Sequence, residues 1–375
     1  MQTYLAVMEP KNPYTFSTDQ KSKYAESKDS PTGKESYYIE SYQIPEQTTV
    51  WGMLRLLILE QANLAHSSFT YTDYESIKIK QLIGEESFRF TSEKEQDFGA
   101  LKWISPVFLC EYDNKDNIQY IVKNPMCNNG ENGFSPLKMK QTVGTTDFGS
   151  ISIPTDFDAK SGVAGGYVNL ASKKIYSDDD LFQEIVQAGN RKNEAGKLKK
   201  KDNDAFFRKI KYILKNDEGC NRGFAFFVCV ENIELFDDIV TIGAGKNVFS
   251  IRFIEKEADI EEQLKNWGRS CSDRWGYALS DIVVQQVPEY KDFSIVGMRS
   301  MRNITTKNYS EKSSYHERFK RSSERTIMIQ RGSVFYNNRF NVAENKNLEK
   351  LGYNQIIEIG GKLNESSYDK DAVSY

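Results

Sequence analysis

The residues whose types and spacing come closest to chemistry are two histidines, a run of three aspartates and one glycine–lysine turn. His66 and His316 belong to no H-E-x-x-H pattern and to no Cys/His set with zinc spacing. His66 follows an apolar helical stretch and is expected to cap or solvate its end. His316 lies in the basic run Tyr315-His316-Glu317-Arg318, where the chemistry open to it is general-base cleavage of RNA. Asp178-Asp179-Asp180 cannot converge on one ion from a helix, so a charge cluster at a helix N-terminus is expected instead. Gly243-Ala244-Gly245-Lys246-Asn247 is a truncated phosphate loop: Asn247 replaces the hydroxyl residue that would hold magnesium, and a strand pattern comes next where a helix is needed. The same residues suit a glycine turn that brings backbone amides to an RNA phosphate, or a plain tight turn. Cys110, Cys127, Cys220, Cys229 and Cys271 are odd in number, without a C-x-x-C pair, and read as reduced structural thiols. No acid/base pair or metal-ligand spacing emerges, and the expectation is a protein that is not an enzyme, with no cofactor and no metal.

Charge points to a polyanion. The net charge of −3 hides two basic segments. Residues 191–215 hold ten Lys/Arg against three Asp/Glu, and residues 299–339 again ten against three, so each segment carries +7 and the remainder −17. Both interleave aromatics: Phe206, Phe207 and Tyr212 in one, Tyr309, Tyr315 and Phe319 in the other. Positive charge tracks a phosphate backbone and aromatic faces stack on unpaired bases, which favours single-stranded RNA over two solvated loops. A hydrophobic fraction of 39% is enough for a core, and no run approaches the ~18 apolar residues of a spanning helix. The start Met-Gln-Thr-Tyr-Leu-Ala lacks a basic region followed by a long apolar one, so a cytoplasmic protein with no membrane partner is expected.

These residues must be positioned by a mixed set of elements. Thr3–Met8 reads as a first strand. Ile44–Arg55 is the clearest helix start, with Thr48 or Thr49 able to cap the orphan amides, which can also receive a phosphate. Gly52, one turn in, carries a helix penalty of ~1 kcal/mol and implies close packing, such as on a strand. Ala100–Val122 reads as two strands joined by Asp113–Asn117. Residues 127–166 form a Gly/Asn/Ser/Thr-rich insertion, followed by a basic, partly helical segment to Lys215. Arg222–Val230 reads as a central strand opening a second domain, Leu235–Ile239 as helical, Val248–Phe253 as a strand of period two, and Asp259–Trp275 as an amphipathic helix. Leu279–Gln286, Phe293–Arg299 and Thr326–Tyr336 read as further strands, and the chain from Gly361 as a polar, disordered tail.

Four patches of this sequence resemble the RAMP superfamily of CRISPR effector subunits. Pro45, Thr48, Thr49, Gly52, Leu54 and Arg55 are similar to the family's Pro-x-x-Ser-Thr-x-x-Gly-x-Leu-Arg helix entry, with Thr48 for the serine. Val186–Asn193, with Gly189-Asn190-Arg191-Lys192, is similar to its turn ahead of an aromatic–basic segment. Phe224–Val230 followed by Ile242–Phe253 looks like its strand and glycine loop, here with only one Gly-x-Gly-Lys. Arg331-Gly332-Ser333-Val334-Phe335-Tyr336 resembles its closing Gly-Ser-Val-Tyr strand. The likeness is greatest to the type III-B (Cmr) subunit that holds the five-prime handle of the guide RNA, with the type III-A equivalent as the near alternative.

The resemblance implies an α+β fold of two ferredoxin-like (RRM-like) domains. The first spans 1–218 with an insertion at about 127–215, the second 219–361, and 362–375 forms a tail. It implies a non-catalytic scaffold subunit whose partners are the guide RNA (crRNA), the large signalling subunit, neighbouring backbone RAMP subunits and, indirectly, target RNA. The RNA-binding residues expected are Thr48, Thr49, Arg55, Arg191, Lys192, Gly243, Gly245, Lys246, Arg299 and Arg302. A guide-processing endoribonuclease of the same superfamily is the rival from the enzyme class.

Overall fold

The computed structural model describes the chain apart from residues 25–35, 67–70, 85–86, 91, 93, 114–116, 131–132, 144–149, 156, 159, 161, 191–205, 244, 285–292, 303, 307–318, 322–324, 338–344 and 362–375. In chain order come β1 (Gln2–Pro10), β2 (Phe16–Tyr24), β3 (Ser36–Tyr42), α1 (Gln47–Gln61) and α2 (Asp73–Ile83). Next are β4 (Leu101–Ile104), β5 (Phe108–Tyr112), β6 (Ile118–Lys123), β7 (Met139–Val143), β8 (Ser150–Pro154), β9 (Tyr167–Asn169) and β10 (Ile175–Tyr176). One-turn α3 (Asp178–Leu181) leads to β11 (Phe182–Asn190), β12 (Phe206–Leu214), β13 (Asn221–Val230), β14 (Asp238–Ile242), β15 (Asn247–Glu255), α4 (Ile260–Gly268) and β16 (Arg274–Ala278). The rest holds β17 (Ile282–Val283), β18 (Ser294–Ile295), β19 (Met298–Met301), β20 (Ile304–Thr306), β21 (Phe319–Arg321), β22 (Thr326–Ile329), β23 (Val334–Tyr336), α5 (Lys346–Lys350) and β24 (Ile356–Gly360).

The architecture is mixed α+β and dominated by sheets. Among the described residues the largest sheet has nine strands, in the order β10-β9-β6-β5-β13-β1-β15-β14, with β4 also on β13. β13 is buried from Arg222 to Val230, on both faces, which is why its sequence is a continuous apolar run rather than an alternating one. Tyr4, Ala6, Met8, Phe224, Phe226 and Val228 share a core with α1; Leu5, Val7, Ala225 and Phe227 share another with α4, β16 and β24. The alternation along β1 and β13 therefore separates the two larger apolar cores, one on each face of one sheet. β1 pairs with β13 on one side and β15 on the other, so this sheet joins segments from both sides of residue 218.

A buried carboxylate helps tie the far side of the sheet together. Glu111 on β5 accepts from Arg222 Nε of β13 at 2.8 Å, Asn169 Nδ2 of β9 at 2.9 Å and the Tyr176 hydroxyl of β10 at 3.0 Å. An ion buried to this degree is tolerated only when its lone pairs are filled in this way.

Several local expectations are corrected. In the segment expected to be partly helical, the described residues hold one helical turn, α3, followed by the paired strands β11 (Phe182–Asn190) and β12 (Phe206–Leu214); Ile210 and Leu214 turn inward with a period of two that Lys209 and Lys211 mask. Leu235–Ile239 is not helical; β14 begins at Asp238 and pairs with β15. The segment expected as one helix to Trp275 stops at Gly268, and Trp275 lies in β16. Gly52 does not pack on a strand: it is exposed, and a Cβ there would meet nothing within 4 Å. The aspartate run does open a helix, where Ser177 and Asp180 form a capping box. No described helix is long and apolar enough to cross a membrane. The segment from residue 362 expected as a tail lies outside the described residues.

Helix α1 is seated by a side chain at its own first turn. Gln47 is fully buried; its Nε2 donates to the carbonyls of Ser105 at 3.0 Å and Leu351 at 2.8 Å, and its Oε1 accepts the Val107 amide at 2.8 Å. Gly352, at φ +76°, leaves the space this amide fills; a Cβ there would collide with it and with the Ser105 carbonyl. Gln47→Leu removes three bonds and keeps the volume, leaving three buried backbone groups unpaired at roughly 1–3 kcal/mol each. A loss of roughly 3 kcal/mol or more in urea unfolding is expected, against a near-zero change for Thr241→Ser on the exposed edge.

Candidate nucleic-acid interface

The expected site residues fall on three elements, and the fold brings two of them into contact. The N-cap of α1 is Glu46, without a side-chain cap bond, so Thr48 and Thr49 are in the first turn and not at the cap. The reason is Pro45, which holds the chain extended, and the carbonyl of Glu46, which accepts the amides of Thr49 at 2.9 Å and Val50 at 3.0 Å. Beside this turn lies the connection between β14 and β15. A Cβ on Gly243 would stand 3.9 Å from Thr49 Cγ2, and one on Gly245 would stand 3.3 Å from Thr15 Cγ2. Gly243 has φ +69° and Lys246 φ +47°, and the Lys246 amide closes the turn on the Gly243 carbonyl at 3.0 Å. The glycine is needed at 243 for its left-handed backbone, and a side chain at 245 would press on the Thr15 methyl.

Asn247, the residue that departs from a phosphate loop, has a structural task. Its Nδ2 donates to the carbonyls of Thr15 at 2.8 Å and Ile242 at 3.0 Å, and its Oδ1 accepts the Thr15 amide at 3.1 Å. The turn is thereby fixed to the segment after β1. One residue earlier in that segment, Tyr14 exchanges backbone bonds with Tyr212 of β12 at 2.9 and 2.8 Å. The four-stranded sheet β11-β12-β3-β2 is thus joined to the glycine turn through two consecutive residues. On β12, Lys209 and Lys211 point to one face and Ile210, Tyr212 and Leu214 to the other. Burial, then the like charge of Lys211, lowers the pKa of Lys209. Arg208 on the same strand is exposed.

Arg299 of β19 is placed differently from a solvent-facing phosphate ligand. Its guanidinium makes a bidentate pair with Glu46, at 2.7 Å for Nη2–Oε2, and meets Asp281 at 2.5 Å. It also lies over the ring of Tyr42 at 4.9 Å, with its side chain 12% exposed. Arg331 completes the cluster, donating to Asp281 at 3.3 Å and to the Val107 carbonyl at 2.8 Å. Two cations and two carboxylates therefore balance at the start of α1. Sequence reasoning found Arg299 and Arg331 but not their partners; Glu46 stands next to Pro45 in the helix-entry motif, whereas nothing local marks Asp281. Arg55 is half-buried on α1, and Arg302 half-buried just past β19. Arg191 and Lys192, the Lys199–Lys201 run and His316 lie outside the described residues. His66 contacts Glu75 at the start of α2 at 3.1 Å rather than the end of α1.

No family model matches the chain, and no curated protein matches at a significant level. Among solved structures, a chain in the cryo-EM structure of type III-B Cmr-beta bound to cognate target RNA is similar over 94% of this chain and 96% of that one, at 13% identity and a TM-score of 0.47. Type III-B Cmr-beta bound to cognate target RNA and AMPPnP gives 94% and 95% coverage, 13% identity and a TM-score of 0.43.

The charge cluster predicts an acid response. Burial pushes the Asp281 carboxyl up, but Arg299, Arg331 and the Arg331 amide outweigh it and hold its pKa below the ordinary carboxylate value. A depressed folded pKa gives stability that is present above the unfolded value of about 3.9 and is lost as pH falls through the folded one. Asp281→Asn should therefore lose roughly 3 kcal/mol at neutral pH, by leaving two guanidinium groups short of a carboxylate, and should lose less than the parent as pH falls below about 4. Urea unfolding of both proteins across pH 3–7 measures it; equal acid slopes would dissociate Asp281 from the effect.

Proposed function

We propose that this chain is a non-catalytic RNA-binding scaffold subunit of a type III CRISPR effector complex, holding the five-prime handle of the guide RNA. The observation that carries the reading is the nearness of Thr49, in the first turn of α1, to Gly243 in the glycine turn, where an added Cβ would stand 3.9 Å from Thr49 Cγ2. Two motifs of the resemblance, about two hundred residues apart in sequence, form one surface, with Lys246 on it and the lysine-bearing β12 joined to it through Tyr14 and Thr15. In this reading the amides and Lys246 of the turn meet phosphates, Lys209 and Lys211 extend the positive track, and Arg299 acts by fixing the start of α1. Thr48, Arg55, Arg302, Arg191 and Lys192 belong to the same proposed path. The large signalling subunit and a neighbouring backbone subunit are its proposed protein partners, target RNA is met through the guide, and the assembly works in the cytoplasm. The reading also carries the family's paired ferredoxin-like units; α1 on one face of the large sheet and α4 toward the other support it.

Titration of the full chain with labelled single-stranded repeat RNA tests it. Affinity should fall steeply with salt, since each neutralised phosphate contributes a slope of roughly −0.7 on single strands. Lys246→Ala should weaken binding and reduce that slope by about one such contact. Gly245→Val, which adds no charge and presses on Thr15, should weaken binding per folded molecule at an unchanged slope. A flat salt response, or full affinity in the folded fraction of Gly245→Val, would reduce the loop to a turn. Cleavage of the RNA that disappears in His316→Ala would replace the scaffold by an endoribonuclease.

A further inference from the structure

We infer that strand β14 is a docking edge for an extended segment of a partner protein, one in which Lys or Arg alternates with β-branched apolar residues. β14 is the last strand of the nine-stranded sheet. Its pairing with β15 fixes which of its backbone groups are used. The carbonyl of Val248 turns toward Lys11, whose amide it accepts at 2.9 Å, so its neighbours Asn247 and Phe249 turn toward β14. Ile242 and Val240 lie opposite them and make the ladder, which leaves the amides and carbonyls of Ile239 and Thr241 directed outward. The Ile239 amide is covered by the carboxylate of Asp238 at 2.7 Å; no described residue pairs with the Thr241 amide.

Edges of this kind are ordinarily blunted by lysine, proline or a covering element. Among the described residues, this one carries none of these. Ile239 is 67% exposed and Phe236, just before the strand, 59% exposed. The run Ile239-Val240-Thr241-Ile242 is rich in the β-branched residues that pair best. An unguarded edge with exposed apolar side chains is a site for strand addition, where main-chain bonds supply affinity and alternate side chains supply choice.

Charge selects the partner. Residues 231–242 contain Glu231, Glu234, Asp237 and Asp238 and no Lys or Arg. Glu60 of α1 adds to them: burial, then the nearby Asp238, raises its pKa. Three of the four carboxylates are held in place, Glu231 by Lys102 at 2.8 Å, Asp237 by the Phe253 amide at 2.8 Å and Asp238 by the Ile239 amide at 2.7 Å. Such a surface repels a phosphate backbone and favours a strand with cations beside the carboxylates and apolar side chains beside Ile239 and Phe236. The inference does not depend on the RNA-binding reading, because the edge and its charge are separate from the glycine turn.

The test uses the full chain and three labelled probes: a short peptide alternating Lys with Val, its counterpart alternating Glu with Val, and a single-stranded RNA oligonucleotide. Binding is read by anisotropy, and its place by hydrogen exchange of the 238–242 amides. The Lys peptide should bind and slow exchange at 238–242, while the Glu peptide and the RNA leave those amides unchanged. Thr241→Pro removes an outward amide and no charge, and should weaken the Lys peptide on the order of tenfold without lowering Tm. Ile239→Lys, which places a lysine on the edge as a guard, should do the same and serves if the proline variant unfolds. Undiminished binding to both variants would mean attraction to a charged surface with no added strand, and protection of these amides by RNA would assign the edge to nucleic acid; either overturns the inference.

Discussion

Arg299 reaches from β19 to the first turn of α1, where Glu46 and Asp281 close on its guanidinium and the ring of Tyr42 lies against it. Four segments separated by up to about 250 residues meet there, and the positions of α1, the end of β3 and the C-terminal strands depend on the meeting. An ion cluster this buried repays its desolvation only if every member has its partner, and removing one costs about 3–5 kcal/mol. Gln47 adds a second constraint one residue on, through three hydrogen bonds to backbone that belongs to no common element. The helix start is therefore fixed by charge from one side and by neutral hydrogen bonds from the other.

That fixture sets the geometry of the glycine turn. Helix α1 runs alongside β14: Thr49 lies beside Gly243 at one end, where an added Cβ would stand 3.9 Å from its Cγ2, and at the other Gln61 donates to the Phe236 carbonyl at 2.8 Å. The turn cannot shift without shifting the helix or breaking the three bonds of Asn247 to Thr15 and Ile242. Backbone amides are useful to an anion only where they are held before it arrives, since otherwise binding must order them first. At this turn the ordering is done by the side chain of Asn247, so in the proposed reading an anion would meet amides already held in place.

Much of this fold was legible in the sequence, and the parts that were not have a physical cause. The apolar run of β13, the alternation of β15, the strand β1 and the start of α1 near Pro45 each carry a local signal strong enough to read. β12 was obscured because Lys209 and Lys211 alternate with its apolar residues, so the strand reads as a charge run. Asn247 reads as a defect in a nucleotide loop until Thr15, more than two hundred residues away, is placed beside it. Asp281 was invisible for the same reason: a single buried carboxylate has no periodicity, and its role exists only in the company of Arg299 and Arg331. Local propensity marks elements; it cannot mark which element a polar side chain will reach across the fold to satisfy.

Charge is divided along the same strand that α1 holds in place. β14 begins among carboxylates, at Asp237 and Asp238, and ends at Gly243 with Lys246 just beyond. A single strand of five residues, about 17 Å long at the usual rise, therefore has an acidic apolar end and a basic glycine end. At an ionic strength of 0.15 M the Debye length is about 8 Å, so the two ends act as independent fields rather than cancelling. A near-neutral net charge of −3 thus conceals a surface on which a polyanion and a basic protein segment could not exchange places. Because α1 and β14 are held together at both ends, whatever occupies one end is held at a set distance and orientation from whatever occupies the other.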